Sequence, residues 1–136
     1  MRYELVNPDA LGAPRGWTNG MLAVPGGRLL LVAGQDASGP DGEVTTEDFV
    51  EQFGIALRKA ITVVREAGGT SEDIGRLTIF VTDLEAYRAS RSELGVRYRS
   101  LMGRHYPAMS LVQVAGLLDP RARVELEATA VVPNLD

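Results

Sequence analysis

The apolar and polar positions of this chain follow two different periods, and together they predict a β-β-α-β-α-β-β order of elements. Short apolar runs or strict alternation predict strands at 17–24, 28–34, 76–82, 109–114 and 122–132. The sequence Pro25-Gly26-Gly27 separates the first two runs, which is typical of a β-hairpin turn. Residues 1–16 contain several prolines and glycines, so we expect an irregular N-terminal arm with a short edge strand at 3–6.

Two segments repeat their apolar residues every three or four positions, as one face of a helix does. The first is expected to start after a cap at Thr45 or Thr46 and to end at two consecutive glycines. The second covers 84–103. There Ser90 and Glu93 have the spacing of a capping box, so the main helix is expected to begin at that point, after a short turn.

Two helices and about five strands predict an α+β fold, with one mixed sheet and both helices on one of its faces. A length of 136 residues fits a single domain spanning 1–136. The strand at 28–34 is apolar at every position from Leu29 to Ala33, so both of its faces are expected to be buried. Because two helices cover only one face of the sheet, we expect the other face to pack against further copies of the chain.

Composition and charge disfavour several classes of function. With 14 basic and 18 acidic residues the net charge is −4, so the sequence lacks the basic surface that nucleic acids and anionic membranes require. The absence of cysteine and the single histidine, His105, argue against a metal site and against cysteine or Ser-His-Asp catalysis. We expect His105 to be a loop residue or a partner of a helix C-terminus. No segment has the character of a signal peptide or of a membrane span, so a cytoplasmic protein is expected.

Two carboxylates interrupt the apolar pattern of the last predicted strand. Glu125 and Glu127 are two positions apart and project from one face, whereas Val124, Leu126 and Ala128 project from the other. A solvated sheet face or a boundary between subunits accounts for such a pair. A carboxylate in a pocket would instead serve as a general base.

Three regions carry a resemblance to a known family. They are RLLLVAGQ at 28–35, QFGIALRKAITVVREAGGTSEDIGRLTIFVTDLEAY at 52–87, and YPAMSLVQVAGL at 106–117 followed by ARVELEATAV at 122–131. In this order they resemble the signatures of the RidA/YjgF family, the reactive intermediate (enamine/imine) deaminases. The resemblance covers residues 17–132.

This resemblance implies a chorismate-mutase-like α+β fold and a homotrimer whose three pockets lie between neighbouring subunits. It also implies hydrolysis of short-lived enamines or imines to carbonyl compounds and ammonia, without a metal or cofactor. A small-molecule substrate is the implied partner, with neither nucleic acid nor membrane involved.

Four positions depart from what the resemblance implies for substrate binding. Met109 stands where typical deaminases of the family have an arginine that forks onto the substrate carboxylate, and a thioether offers neither charge nor donor. Ala33 replaces a serine, and Trp17 replaces a tyrosine and exchanges its hydroxyl for an N–H donor. Arg91 stands at a position that is commonly asparagine. Arg91 either binds the substrate carboxylate from another direction, in place of the missing arginine, or is a solvated helix residue.

The hydrolytic part of the implied site is retained. The backbone around Gly34 and Gln35 is present, and Glu125 matches the glutamate that holds and activates the attacking water. Glu127 is expected to be structural, for instance as the partner of an arginine of another subunit.

The sequence therefore predicts a hydrolytic deaminase of small enamines or imines whose specificity is altered because Met109 replaces the arginine. The alternative is a non-catalytic, ligand-binding trimer of the same fold. Ribonuclease activity, which is sometimes attached to this family, is disfavoured by the acidic net charge.

Overall fold

A long helix, α1 (Phe49–Glu66), lies at the centre of the core in the computed structural model, which describes residues 2–134. Its predicted apolar face is confirmed, because the side chains that repeat along it are all buried: Phe49, Phe53, Leu57, Ile61 and Val64. Beyond its C-terminus Gly68 has φ +93°, as predicted for the glycine that ends a helix.

The predicted cap of α1 at Thr45 or Thr46 is wrong. Asp48 caps the helix, and its side chain accepts a hydrogen bond from the backbone N–H of Glu51 at 2.9 Å. The hydroxyl of Thr46 is occupied elsewhere, since it donates to the carboxylate of Glu51 at 2.7 Å.

Within residues 2–134, six strands form two sheets rather than the single sheet expected. The strands are β1 (Tyr3–Val6), β2 (Gly20–Ala23), β3 (Arg28–Gln35), β4 (Ile74–Val81), β5 (Ala108–Gln113) and β6 (Val124–Val132). A mixed sheet has the order β3-β6-β4-β5, in which only the β4–β5 pair is parallel. β1 and β2 form a separate antiparallel pair, and β1 coincides with the predicted edge strand.

The expected hairpin between β2 and β3 is therefore wrong. Gly26 and Gly27 both have positive φ, as tight turns require, but this turn carries the chain from one sheet to the other. It packs against the end of β6 so closely that a Cβ at Gly27 would lie 2.7 Å from Cγ1 of Val131. Likewise, β5 and β6 are consecutive in sequence but not adjacent, because β4 lies between them.

The second helical segment is divided, as its sequence predicted, into α2 (Leu84–Ala89) and α3 (Arg91–Met102). Asp83 caps α2 by accepting from the backbone N–H groups of Glu85 and Ala86. The capping box at Ser90 is not formed, since that side chain makes no cap hydrogen bond.

The mixed sheet has one covered and one open face. Buried side chains of β4 and β6 form one core cluster with α1 and with the inner residues of α3 (Leu94, Tyr98 and Met102). The opposite side, here called the open face, includes Leu29 and Leu31, which are 69% and 72% exposed in the single chain. The same face carries Glu125 and Glu127, which alternate with buried residues of β6.

Candidate functional site

The residues predicted for the site lie in two separate cavities of the chain. Trp17, Arg91 and Met109 line a cavity of about 530 Å³, which we call the aromatic cavity. Gly34, Gln35 and Glu125 line a second one of about 690 Å³, called the acidic cavity. The remaining predicted residue, Ala33, is exposed on β3 and lines neither cavity.

The aromatic cavity lies on the covered side of the sheet. Met109 on β5 is paired with Leu77 of β4, which is fully buried, and its side chain packs against the core. Further apolar and aromatic lining comes from Phe53, Ile79, Tyr87, Leu94, Tyr98, Tyr106 and Leu111. A cavity of this size and character is typical of sites for organic molecules.

A network of aromatic rings and hydrogen bonds fixes one wall of the aromatic cavity. Tyr98 and Tyr106 are stacked, with ring centroids 5.3 Å apart. Tyr98 donates from its hydroxyl to the carbonyl of His105 at 2.6 Å, and burial raises the pKa of this phenol. The buried hydroxyl of Thr18 donates to the carbonyl of Tyr106, which holds the adjacent Trp17 at the cavity.

His105 has a structural role. It lies in the loop after α3, and its Nε2 is 2.6 Å from the carbonyl oxygen of Ile74, so it links this loop to the start of β4. The expectation of a loop residue is confirmed.

Sequence reasoning missed two arginines of the aromatic cavity. Arg15 from the N-terminal arm and Arg99 from α3 line it together with the predicted Arg91. The spacing from Arg91 to Arg99 is two helical turns, which places both near one face, and this signal was available in the sequence.

The acidic cavity lies at the open face and contains Glu125. This carboxylate is half-buried and makes no hydrogen bond or ion pair with any residue in the part of the chain that the structure describes. It lies against the bare backbone of Gly34, where an added Cβ would be 2.6 Å from Oε2. The absence of a side chain at Gly34 is thus what admits the carboxylate, since φ of Gly34 is not positive.

Lys59, the single lysine of the chain, shapes the rim of the acidic cavity. From α1 its ammonium donates to the backbone carbonyls of Asp36 and Ser38, at 3.0 and 2.7 Å. Burial alone would raise the pKa of the Asp36 carboxyl, but hydrogen bonds from Ser38 and the charge of Lys59 outweigh it, so this pKa is lowered. Lys59 was not identified from the sequence, because a charged helix residue gives no sign of its partners.

Gln35 contributes less than its position in the motif suggests. Its side-chain amide donates to the backbone carbonyl of Ala33 at 3.2 Å. Leu118, in the loop before β6, is fully exposed at the rim of the same cavity.

Met109 and Glu125 project from opposite faces of the mixed sheet. Met109 faces the helices with Leu77, whereas Glu125 faces away from them between the buried Val124 and Leu126. One chain alone therefore does not bring Glu125 to Met109, Trp17 and Arg91.

Within residues 2–134, no group of three or more histidine, aspartate or glutamate side chains is arranged to hold a metal ion. No helix in the same range is long and apolar enough to cross a membrane. The two cavities supply aromatic rings, several arginines, the ammonium of Lys59 and three carboxylates. Asp36 and Asp119 are paired with Lys59 and Arg121, which leaves Glu125 as the carboxylate without a partner among the described residues.

The chain matches the family model "Endoribonuclease L-PSP" over residues 9–132. A RutC family protein of Haemophilus influenzae is 34% identical over 110 residues, which cover 80% of this chain and 83% of the relative. A 2-iminobutanoate/2-iminopropanoate deaminase of Salmonella typhimurium is 30% identical over 109 residues, covering 77% and 80% of the two chains.

Solved structures show the same fold. A Rid family protein of unknown function from Yersinia pestis, YyfB, superposes with a TM-score of 0.82 at 29% identity, covering 97% of this chain and all of the other. Escherichia coli TdcF, solved with bound serine, gives a TM-score of 0.67 at 30% identity over 88% of this chain and 91% of its own. From its α+β fold with three helices and a mixed sheet, and from these matches, the chain belongs to the RidA/YjgF family.

Proposed function

We propose that this protein hydrolyses reactive enamine or imine intermediates to carbonyl compounds and ammonia, with Glu125 as the residue that activates water. The observation that carries the proposal is the state of Glu125, which is half-buried in a cavity, against Gly34, with no partner among the described residues. A carboxylate that is positioned but unpaired is available to bind water and to accept a proton. The relative named as a 2-iminobutanoate/2-iminopropanoate deaminase supports this class of reaction.

The proposed reaction requires one carboxyl group acting twice. Water attacks the imine carbon as Glu125 takes one of its protons, and Glu125 passes that proton to the nitrogen, which receives the electrons of the C=N bond. The carboxylate then takes the proton of the new hydroxyl and passes it to the amino group, so that the carbonyl forms, the C–N bond breaks and ammonia leaves, with Glu125 again a carboxylate. An enamine enters the same path after protonation at carbon. No redox change occurs in any step.

A complete site requires a second copy of the chain. Glu125 and the aromatic cavity are on opposite faces of one sheet, and Leu29 and Leu31 are exposed on the open face. We propose a homotrimer in which the acidic cavity of one subunit meets the aromatic cavity of its neighbour. Burial of the two leucines would favour this assembly.

Replacement of Glu125 tests the chemistry. The Glu125→Gln variant keeps the size of the side chain but removes the base, so we expect kcat/KM to fall by about 100-fold or more. Glu127→Gln is the matched control, since Glu127 is on the same face of the same strand and lines neither cavity. Ammonia release from freshly generated imines, with the oligomeric state measured in parallel, is the assay. Equal rates for the two variants would remove Glu125 from the mechanism.

Met109 is proposed to alter the specificity. Without an arginine on β5, 2-iminopropionate loses its carboxylate partner there, so we expect slow hydrolysis of this substrate by the natural sequence. In the same assay Met109→Arg should raise that rate, whereas Met109→Leu should not. A rate with the natural protein as high as that of family members with the arginine would contradict altered specificity.

The second candidate function is binding without turnover. It is favoured by Met109 and Ala33, whose side chains supply no polar group where the family resemblance implies arginine and serine. A binder would be stabilised by a metabolite in a thermal-shift screen while producing no ammonia.

A further inference from the structure

The lining of the aromatic cavity has a charge opposite to that of the chain as a whole. Three arginines line it (Arg15, Arg91 and Arg99), and no aspartate or glutamate of the described residues does. Acidic residues outnumber basic ones in the chain, 18 to 14, so this local excess of positive charge is not a reflection of composition. A concave site with this charge favours an anionic ligand.

None of these three arginines has an ion-pair or hydrogen-bond partner for its side chain within residues 2–134. Some other arginines of the chain do have such partners, although a lack of partners among the described residues is not confined to the cavity. Arg88 pairs with Glu85, and Arg121 pairs with Glu43. The guanidinium groups at the aromatic cavity are therefore available for a carboxylate, which a guanidinium can bind through two parallel hydrogen bonds.

Gly95 brings two of the arginines towards each other. Arg91, Gly95 and Arg99 are four residues apart and lie along one face of α3. Long side chains of a helix point back towards its N-terminus, and Nη1 of Arg99 lies 3.0 Å from where a Cβ of Gly95 would be. The Arg99 guanidinium thus lies over the bare helix surface on the side of Arg91. Glycine is unfavourable inside a helix, and at this position its missing side chain leaves the space that Arg99 occupies.

The body of the ligand is defined by the rest of the lining. Trp17, Tyr87, Tyr98 and Tyr106 surround the cavity together with aliphatic side chains. A volume of about 530 Å³ is large for a three-carbon imino acid. Ring faces and apolar walls favour a ligand with an aromatic or bulky apolar group.

We propose that the aromatic cavity binds an organic acid with an aromatic or bulky apolar body, and that Arg91, Arg99 and Arg15 hold its carboxylate. The acid group is thereby recognised from α3 and the N-terminal arm instead of from β5. This inference deepens the proposed function, and it rests on that function for the identification of such an acid as the substrate or product. The binding itself does not depend on turnover.

The test compares 3-phenylpropanoate with its neutral isostere 3-phenylpropanamide, and with acetate. Trp17 is the only tryptophan of the chain, so a change in its fluorescence reports binding in this cavity, and calorimetry gives the affinity. We expect the phenyl acid to bind at least about tenfold more tightly than the amide, and acetate to bind most weakly. Equal affinities for acid and amide, or the absence of any response of Trp17, would overturn the proposal.

Substitutions test whether Arg91 and Arg99 cause the preference for the acid over the amide. Replacing both Arg91 and Arg99 by methionine should abolish the preference for the acid, whereas Arg104→Met should retain it, because Arg104 is an exposed arginine outside the cavity. Should the double variant fail to fold, Gly95→Ala serves instead. It should raise the stability of α3 and weaken binding of the acid severalfold by moving Arg99. Unchanged acid preference in the double variant or in Gly95→Ala would contradict the role of these arginines.

Measurements with Glu125→Gln separate the two proposals. That variant lacks the proposed base but keeps the three arginines, so it should still prefer the acid to the amide. In the natural protein, acid-selective binding without any imine hydrolysis would refute the proposed deaminase and leave the binding proposal standing. Imine hydrolysis without a preference for the acid would refute the binding proposal and leave the proposed deaminase standing.

Discussion

Glu125 and Glu127 are two residues apart on β6, yet their surroundings differ. Glu127 is exposed on the open face, whereas Glu125 is half-buried because the chain folds the backbone of Gly34 against it. The alternation of the strand places both carboxylates on one face, but it does not distinguish them. The neighbouring glycine does, and it determines which carboxylate has a defined position.

Gly34→Ala should therefore impair catalysis without unfolding the protein. The new Cβ would lie 2.6 Å from Oε2 of Glu125, so the carboxylate has to move away. A displacement of this size is expected to lower kcat by about 10- to 100-fold. Gly116→Ala is the control, since a Cβ there meets no atom within 4 Å. Equal kcat values for the two variants, measured at matched thermal stability, would contradict this role of Gly34.

The sequence identified the residues whose roles are visible in a short stretch of chain, and it missed those whose roles depend on distant segments. Glu125 and Met109 were identified because they stand within recognisable motifs. Lys59 and Arg99 were missed, since their roles depend on carbonyls or cavity walls that are distant in the chain. A side chain whose partners are backbone groups leaves no pattern in a single sequence.

At the scale of elements, Gln52 joins α1 to the loops around it. Its amide is fully buried, donates to the carbonyls of Thr46 and Arg121 at 2.8 and 3.0 Å, and accepts from the backbone N–H of Arg123 at 2.8 Å. The loop that leads into β6 borders the acidic cavity, so this one side chain links the core helix to the rim of the site.

Gln52→Met should lower the free energy of unfolding by about 2–4 kcal/mol, because a side chain of similar volume leaves three backbone groups without their partner. Urea denaturation measures the change. Arg58→Met, at an exposed position of the same helix, should change stability by less than about 0.5 kcal/mol. Similar stabilities for both variants would show that water replaces the lost hydrogen bonds.

The elements themselves were largely predictable, and their pairing was not. Periodicity identified α1, α3 and the strands of the mixed sheet, since burial of one face imposes it directly. The predicted hairpin at Gly26 and Gly27 was wrong. A turn sequence indicates that the chain changes direction, but it does not determine that the two flanking strands pair, and β2 pairs with β1 instead. Likewise, β5 does not lie beside β6, because β4 is inserted between them. This pairing depends on contacts between segments that are distant in the chain.

At the scale of the whole molecule, the single chain exposes apolar side chains on its open face, and the residues of the proposed site lie in two cavities. The doubly apolar strand at 28–34 predicted such a face, and Leu29 and Leu31 are indeed largely exposed in the isolated chain. The division of the site between two cavities was not predictable from composition or periodicity, because it depends on which face of the sheet each side chain occupies. The proposed trimer accounts for both features together.

The division of the site between the faces of the sheet has a genetic consequence. Two inactive variants, one altered in each half of the site, should restore activity when expressed in the same cell. In trimers mixed at random from equal amounts of Glu125→Gln and the double variant Arg91→Met, Arg99→Met, about one quarter of the pockets combine two intact halves. A site contained within one chain would give no such complementation. Recovery of about a quarter of the activity on an aromatic imino acid, measured on the co-expressed protein, is the expected result.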